Sequence, residues 1–337
     1  YRNYDILNMN FDKNVNIIYG DNAQGKTNIL ESIYFCATSK SHRGSKDKDI
    51  VKFGESESHI KANVIKNDIS YRIDMHLKSN KPKGIAVNGI PIKKAVDLFV
   101  VLFSPEDLNI IKDGPSQRRR FMDMELSQLN KIYLSNLVNF NKVLGQRNKL
   151  LKELAFNPSE EMISSLDIWD MQFERYGKCI IEGRKKFIRE LNLIISEIHS
   201  KLTGGSEKLV VEYVPFVNED ELGSALSEYR KKDIKYKCSC AGPHKDDLVF
   251  NINGKDVRKY GSQGQQRTAA LSLKLSEIYI VKRKIKDTPV LLLDDVLSEL
   301  DSSRQNYLLD SISDIQTLIT CTGLDDFISH QFQINKV

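Results

Sequence analysis

The chain has 337 residues, of which 40% are apolar and 28% are charged, and its net charge at pH 7 is +5. These values are ordinary for a water-soluble globular protein of about two domains, and no apolar run approaches the ~20 residues that a membrane-spanning helix needs. The small positive charge permits a nucleic-acid partner without requiring one. Its five cysteines are odd in number and lack the spacing of zinc-ligand pairs, so we expect reduced thiols and a cytoplasmic location.

The first predicted element is a phosphate-binding loop. Residues 20–27 read GDNAQGKT, which fits GxxxxGK[ST], and they stand between a strand pattern at 15–19 and a helical pattern that follows. In such a loop backbone N–H groups surround the phosphates, the lysine adds a positive charge and the hydroxyl binds Mg²⁺. The predicted nucleotide-binding residues of the loop are Gly20, Asp21, Asn22, Ala23, Gln24, Gly25, Lys26 and Thr27, of which Lys26 is also a catalytic candidate and Thr27 a metal ligand.

A polar segment, Ser41–His42–Arg43, follows the predicted loop helix. Its distance along the chain would let Arg43 reach a phosphate, and an exposed loop without that role is an equally good interpretation. Further on, apolar residues alternate at 60–64 and at 69–75 on either side of Asn67–Asp68, which predicts a β-hairpin. Asn88–Gly89 predicts a second tight turn. We therefore assign residues 1–112 to the N-terminal part of an α/β head with an added antiparallel sheet.

A long helical stretch begins after Gly114. Apolar residues recur at heptad-like spacing from Leu126 to Leu154 and again from Met162 to Leu202, separated by an Asn-Pro-Ser turn at 157–159. The pattern predicts a hairpin arm of two antiparallel helices, the longer on the order of 60 Å. Residues 113–230 form this mainly helical domain, which is inserted between the two parts of the head. A basic run follows at 231–237, and a solvated surface is a slightly better interpretation of it than a DNA contact.

The C-terminal part of the head, residues 231–337, carries two more motifs. The apolar run 290–293 predicts a buried strand that ends in Asp294 and Asp295, the arrangement by which P-loop enzymes hold Mg²⁺ and orient an attacking water. We predict Asp294 as a metal ligand and Asp295 as catalytic, with a helix cap as the alternative. Residues 262–266 begin a helix whose N-terminus could bind an anion, although this signal alone is weak.

The order and spacing of these motifs resemble the ABC-type ATPases. The resemblance implies an α/β fold, an ABC-type P-loop head with the added sheet and the inserted helical arm. It also implies that the segment after the acidic strand, including Asp301, is the D-loop. By the same resemblance a signature segment faces ATP bound by a second subunit; its residues here are Ser262, Gln263, Gly264, Gln265 and Gln266.

Within that class the chain resembles the RecF family of bacterial recombination and repair ATPases. The resemblance rests on GDNAQGKTN at 20–28, SHR at 41–43, FSPEDL at 103–108, RRRF at 118–121, GPHKDD at 242–247, SQGQQR at 262–267 and LLLDDVLSELD at 291–301. It adds Asn28 and Arg2 to the nucleotide-binding residues. It implies ATP and Mg²⁺ as cofactors, weak DNA-dependent ATP hydrolysis and an ATP-dependent homodimer on double-stranded DNA beside single-stranded gaps. The implied partners are RecR with RecO, to help load RecA, and no membrane.

Three departures from the wider ABC pattern matter. Asp295 stands where most ABC heads carry glutamate, which implies slow hydrolysis. No histidine follows the strand pattern at 317–320, where Thr320 and Thr322 are the nearby hydroxyls, and no glutamine lies near Glu106 to sense a γ-phosphate. The competing hypotheses are a transporter ATPase subunit, a chromosome-structural ATPase of the SMC class, whose arms are far longer, and a metabolic ATPase with a small substrate.

Overall fold

The computed structural model describes residues 1–66, 68–92 and 98–323. In chain order its strands are β1 Val15–Tyr19, β2 Glu57–Lys66, β3 Ile69–Lys78, β4 Lys81–Val87, β5 Ile90–Pro91, β6 Val100–Phe103, β7 Leu209–Val214, β8 Asp247–Ile252, β9 Lys255–Asp256, β10 Val290–Asp294 and β11 Thr317–Cys321. The helices are α1 Lys26–Thr38, α2 Asp47–Ile50, α3 Leu108–Lys112, α4 Pro115–Leu129, α5 Lys131–Leu154, α6 Glu160–Leu202, α7 Leu222–Tyr236, α8 Val257–Tyr260, α9 Gln263–Ile285 and α10 Ser302–Ser311.

Tertiary contacts divide the chain into two compact units. The head unit contains Tyr1–Asp107 and the chain from Glu277 onward, and the arm unit contains Leu108–Ser276. None of the helices in the described residues is both long enough and apolar enough to cross a membrane.

A four-stranded parallel sheet forms the centre of the head unit, in the order β1-β11-β10-β6. Each strand is short and mostly apolar, and the three inner positions of β1, all of β11 and most of β10 are buried, as expected for a parallel sheet covered on both faces. Because the strands are parallel, their carboxyl ends meet at one edge. The loop that follows β1, the aspartates that end β10 and the end of β11 therefore come together there.

The predicted antiparallel sheet is also present in the head unit, as β2-β3-β4-β5. Its register pairs Ile60 with Met75 and Ala62 with Ile73, so one face carries the apolar residues into the core. Asn67, at the predicted hairpin turn, lies outside the described residues, whereas Asn88 has the left-handed backbone that the second predicted turn requires, with φ 51°. The predicted fold class, an ABC-type head with an added antiparallel sheet, is confirmed.

Two long antiparallel helices, α5 and α6, form the core of the arm unit. Helix α6 has 43 residues, which corresponds to about 65 Å. The first predicted arm helix is interrupted at Asn130, whose side chain accepts hydrogen bonds from the backbone N–H groups of Ile132 and Tyr133. An asparagine that caps a helix in this way begins a new one, so α4 and α5 are separate helices.

Residues 231–276 belong to the arm unit, whereas the sequence assigned them to the head. The predicted domain boundaries at 112/113 and 230/231 therefore differ from the ends of the arm unit at Leu108 and Ser276. Strand β8 pairs antiparallel with β7 along its whole length, from Leu209 with Ile252 to Val214 with Asp247. The fully buried Arg147 of α5 also donates to Asp233 at the end of α7, with 2.7 Å between Nη1 and Oδ2. These pairings join segments that are far apart in sequence, so they cannot be predicted from composition or periodicity.

The GPHKDD segment contributes to the same core. Gly242 has φ 127°, and a Cβ there would lie 2.7 Å from ring atoms of Phe173, so the position requires glycine. Asp247 accepts two hydrogen bonds from the buried guanidinium of Arg118, at 2.6 and 3.0 Å. This segment therefore stabilises the arm unit.

Candidate nucleotide-binding site

The phosphate-binding loop connects β1 to α1 and fits closely against the first residues of the chain. Gly25 has φ 98°, and a Cβ there would lie 2.6 Å from Asn3 Nδ2 and 2.7 Å from the Tyr4 hydroxyl. That hydroxyl donates to the carbonyl oxygen of Gln24 at 3.2 Å. The left-handed backbone angle favours glycine, and a Cβ would also force the Asn3 and Tyr4 side chains to shift. Asn3 and Tyr4 were not predicted as neighbours of the loop, because no motif marks them.

The Lys26 ammonium lies within the loop. Its Nζ donates to the carbonyl oxygens of Gly20 at 2.5 Å and Asp21 at 2.7 Å. The loop therefore holds the positive charge next to its own backbone, where a phosphate would also be surrounded by backbone N–H groups at the start of α1.

Thr27, Asp294 and Thr320 form one hydrogen-bonded group at the carboxyl edge of the sheet. Asp294 is 5% exposed, and its Oδ1 accepts from Thr27 Oγ1 at 2.9 Å and from Thr320 Oγ1 at 2.7 Å. Adjacent oxygens around an octahedral Mg²⁺ lie about 2.9 Å apart when each is about 2.0–2.1 Å from the ion. The separation of Thr27 and Asp294 thus fits the two metal-ligand positions predicted from the sequence.

Asp295 has an unusual backbone that the same threonine holds in place. Its φ is 53°, a left-handed value that aspartate tolerates better than most residues do. Its N–H donates to Thr320 Oγ1 at 3.0 Å and to the Thr320 carbonyl at 3.2 Å, and Ser298 Oγ donates to its carbonyl at 2.9 Å. Thr320 therefore positions both aspartates, a role that the sequence did not reveal beyond a hydroxyl in the vicinity.

The two predicted arginines both contact side chains of α1. Arg2 is bidentate to Glu31, with 2.7 Å from Nε to Oε2 and 2.6 Å from Nη2 to Oε1, and Arg43 Nη1 lies 3.4 Å from the Asn28 side-chain oxygen. Glu31 is fully buried on α1. Burial opposes its ionisation, but hydrogen bonds from Arg2 and Ser41 outweigh that effect and lower the pKa of Glu31. A glutamate within an apolar helix face was the available sequence signal for this ion pair.

His42 is a further neighbour of the site, for which the sequence indicated no role beyond its place in the Ser41–His42–Arg43 segment. Its ring lies edge-on to Tyr34 at 5.8 Å. Burial lowers the pKa of His42 and the charge of Arg43 acts in the same direction, while Glu31, Glu106 and Asp294 oppose the shift. The imidazole is therefore neutral at pH 7 and lies within the electrostatic field of the metal-ligand candidate Asp294.

The signature segment, residues 262–266, lies in the arm unit at the start of α9 and is mostly exposed. The Ser262 N–H donates to Gln265 Oε1 at 2.9 Å and the Gln265 N–H to Ser262 Oγ at 3.2 Å, a reciprocal capping box. In the head unit Asp301, of the predicted D-loop, caps α10 by accepting from the Arg304 N–H at 3.0 Å. Both segments present a helix N-terminus.

The parallel sheet, the loop between β1 and α1 and the aspartates at the end of β10 define a P-loop ATPase head of the ABC type. The family described as RecF/RecN/SMC N terminal domain matches residues 1–328. Within it, the chain belongs to the RecF family, as shown by 71% identity to the DNA replication and repair protein RecF of Lachnospira eligens over 100% of this chain and 94% of that protein.

Solved structures agree with this assignment. One described as the recombination mediator protein RecF-ATP in the RecFOR pathway is 38% identical, with a TM-score of 0.91 over 97% of this chain and 90% of that one. The Smc head domain with a coiled coil and joint from Pyrococcus yayanosii is 13% identical, with a TM-score of 0.51 over 96% of this chain and 90% of that one. The latter likeness concerns the fold alone.

Proposed function

We propose that this protein is an ATP-dependent DNA-binding ATPase of recombinational repair. The observation that carries the proposal is the group of Thr27, Asp294 and Thr320 beside the phosphate-binding loop in a chain of the RecF family. The solved relative with ATP supports the same nucleotide here. A cytoplasmic, nucleoid-associated location follows from the activity.

ATP binding draws on the loop and its surroundings. Phosphate oxygens take the place of the Gly20 and Asp21 carbonyls as partners of the Lys26 ammonium, and the N–H groups at the start of α1 complete the cradle. Arg43 and Asn28, which contact each other, extend it. Thr27 and Asp294 would hold Mg²⁺, which when bound neutralises charge on the β- and γ-phosphates.

Hydrolysis depends on Asp295. Its carboxylate orients the attacking water and accepts its proton, and Thr320 fixes the backbone from which the side chain projects. Aspartate is one methylene shorter than the glutamate of most ABC heads, so it holds the water less well. A slow reaction suits a protein whose ATP-bound form must persist on DNA.

The exposed start of α9 supplies the second half of each site. Two chains related by a twofold axis place Ser262, Gln263, Gly264, Gln265 and Gln266 of one against ATP held by the other. The capping box leaves the helix N-terminus positive and preformed, which favours the γ-phosphate. Asp301, in the D-loop, lies at the same dimer interface.

The closed dimer holds double-stranded DNA beside single-stranded gaps, and hydrolysis releases it. RecR, with RecO, binds this DNA-bound form and helps to load RecA. The replication and repair proteins and the RecFOR pathway named for the relatives support this assignment. We expect contacts mainly to phosphates, so binding should fall steeply with added salt and depend little on base sequence.

Mixing two variants tests the shared site. Lys26→Ala removes the positive charge of the loop, and Ser262→Arg places bulk and charge against the partner's nucleotide. Neither variant should dimerise alone with ATP in sedimentation runs, whereas a mixture should form heterodimers with one intact composite site. Ser227→Arg makes the same change on an exposed position of α7 and should dimerise like the parent. Two restored sites per dimer, or none at any mixing ratio, would reject the proposal.

A further inference from the structure

The solvent-facing side of the antiparallel sheet carries a cluster that the ATPase does not use. Glu57 and His59 on β2 and His76 on β3 offer one ligand atom each, and these atoms all lie within 4.8 Å of one another. His59 and His76 are direct cross-strand partners, and so are Glu57 and Lys78. We propose that Glu57, His59 and His76 form a binding site for a divalent late transition metal such as Zn²⁺.

The distances suit such an ion. Glu57 Oε1 lies 3.7 Å from His59 Nε2, and Glu57 Oε2 lies 3.0 Å from His76 Nε2. Ligands around a tetrahedral zinc are about 3.3–3.5 Å apart, given metal–ligand bonds of about 2.0–2.2 Å. Two imidazoles and a carboxylate are also a donor set that zinc prefers, whereas Mg²⁺ and Ca²⁺ prefer oxygen ligands alone.

The local structure allows the ligands to converge. The imidazole rings are stacked, with centroids 4.1 Å apart, so their nitrogens need a modest rotation to point at one ion. The side chains of His59 and His76 are 54% and 37% exposed, so solvent beside the rings leaves room for that rotation. On β4 the residue opposite His76 is Gly84, which places no side chain beside the ring.

One positive charge competes with the metal. Lys78 Nζ lies 3.3 Å from Glu57 Oε2, the same oxygen that contacts His76. A cation bound to Glu57 must displace or repel this ammonium. If Glu57 served only in surface ion pairs, its interactions would depend on Lys78. Replacing Lys78 therefore distinguishes a metal site from a set of surface ion pairs.

The experiment is a zinc titration of the tag-free full chain by isothermal calorimetry. We expect one saturable site per chain, weakened at least about tenfold in His59→Asn and in His76→Asn, since even the loss of a group behind a metal ligand costs about 10–100-fold. Lys78→Gln should tighten binding. Glu57→Gln should weaken it strongly, and Asp74→Asn, which removes a carboxylate from the same face without touching the cluster, should have a much smaller effect.

Thermal unfolding supplies a second readout, because a ligand that binds only the folded state raises Tm. Zinc should raise the Tm of the parent chain and not that of the His59→Asn/His76→Asn double variant, whose exposed substitutions leave the fold intact. The absence of saturable binding, or binding and a Tm shift undiminished in the double variant, would overturn the proposal and assign the zinc to other groups such as the cysteines.

Discussion

The hydroxyl of Thr27 lies 2.9 Å from a carboxylate oxygen of Asp294, although 267 residues separate them in sequence. The sheet order explains the contact. Strand β11 lies between β1, which leads into the loop, and β10, which ends in Asp294. From β11 Thr320 donates to the same oxygen at 2.7 Å, so one buried acceptor at the end of β10 joins β11 and the start of α1 at the carboxyl edge.

Thr320→Val should damage the site without changing its shape. The substitution removes a donor to Asp294 and an acceptor for the Asp295 N–H. Thr27 and the backbone carbonyl of residue 320 still serve these groups, so the cost is that of the lost hydrogen bonds, about 0.5–1.5 kcal/mol each. Chemical denaturation should show that loss, and steady-state assays should show slower ATP hydrolysis. Thr322→Val removes an exposed hydroxyl two residues further on and should change neither quantity. Equal behaviour of the two variants would contradict the assignment of Thr320.

Gly25→Ala should weaken ATP binding through local distortion. The new methyl group would meet Asn3 and Tyr4 at under 3 Å, and φ 98° is itself strained for alanine. Gly54→Ala is a matched control, because Gly54 has φ 89° and an open surrounding, so it carries strain without a clash. We expect fluorescent-nucleotide titrations to show a clear loss of affinity for Gly25→Ala alone. Unchanged affinity in Gly25→Ala would contradict the role of these contacts, and an equal loss in Gly54→Ala would point to general destabilisation instead.

Local sequence patterns predicted the centre of the head well. The strand, loop and helix around Lys26 and the apolar run before Asp294 each depend on a few consecutive residues, and parallel strands then bring their ends together. The hairpin of β2 and β3 was likewise predicted from strict alternation. The roles of the individual site residues in binding and catalysis remain predictions.

What could not be predicted depends on contacts between distant segments. Glu31 is ionised inside an apolar helix only because Arg2 and Ser41 reach it. The pairing of β7 with β8 places residues 231–276 in the arm unit, although their strand and helix pattern had assigned them to the head. The glutamate in an apolar helix face signals a buried charge but not its partners, and the pairing of β7 with β8 leaves no local signal, since each requires a partner that only the folded chain supplies.

Arg147→Ala should destabilise the arm unit strongly. Arg147 is fully buried and donates to Asp170 at 2.6 Å and Asp233 at 2.7 Å, and removing one partner of a buried ion pair costs about 3–5 kcal/mol. Lys178→Met removes an exposed pair with Glu174 on α6, which water screens, and should cost far less. Guanidinium unfolding of the two variants measures the contrast. Similar midpoints would show that the buried network contributes little.

His244 should make stability depend on pH. Burial lowers its pKa to about 4, and its Nε2 contacts the Ser239 carbonyl at 2.9 Å while the buried Nδ1 lacks a partner for an added proton. The ordinary pKa of histidine is 6.5, so between pH 6.5 and pH 4 the unfolded chain binds a proton at His244 that the folded chain does not. Stability is therefore full above about pH 6.5 and falls by on the order of 3 kcal/mol as the pH drops to about 4.

The comparison with His244→Gln isolates this effect, because glutamine keeps a donor for Ser239 and does not titrate. Denaturation midpoints measured from pH 7.5 to pH 4 should fall less steeply in the variant. The carboxylates are the same in both chains, so their titration does not contribute to the difference. If the denaturation midpoints of the two chains changed with pH in the same way, the His244 imidazole would take up its proton equally well in the folded and the unfolded states.

Changing each of the two aspartates at the end of β10 to asparagine should impair different steps, ATP binding in one variant and hydrolysis in the other. Asp294→Asn removes the buried negative charge beside Thr27, so Mg²⁺-dependent ATP binding should weaken. Asp295→Asn should leave nucleotide and Mg²⁺ affinity intact but slow hydrolysis by about 10²–10⁴-fold, the usual effect of losing a general base.

Asparagine is the informative substitution at position 295 because it tolerates φ 53° as well as aspartate does, and the N–H bonds to Thr320 persist. Alanine there would mix backbone strain with the loss of the carboxylate. ATP-bound dimers of Asp295→Asn should therefore remain on duplex DNA long after those of the parent chain have dissociated, which surface-immobilised DNA and a chase of free duplex can time. If Asp295→Asn instead loses ATP affinity and Asp294→Asn keeps it, the metal-binding and catalytic roles must be exchanged between the two residues.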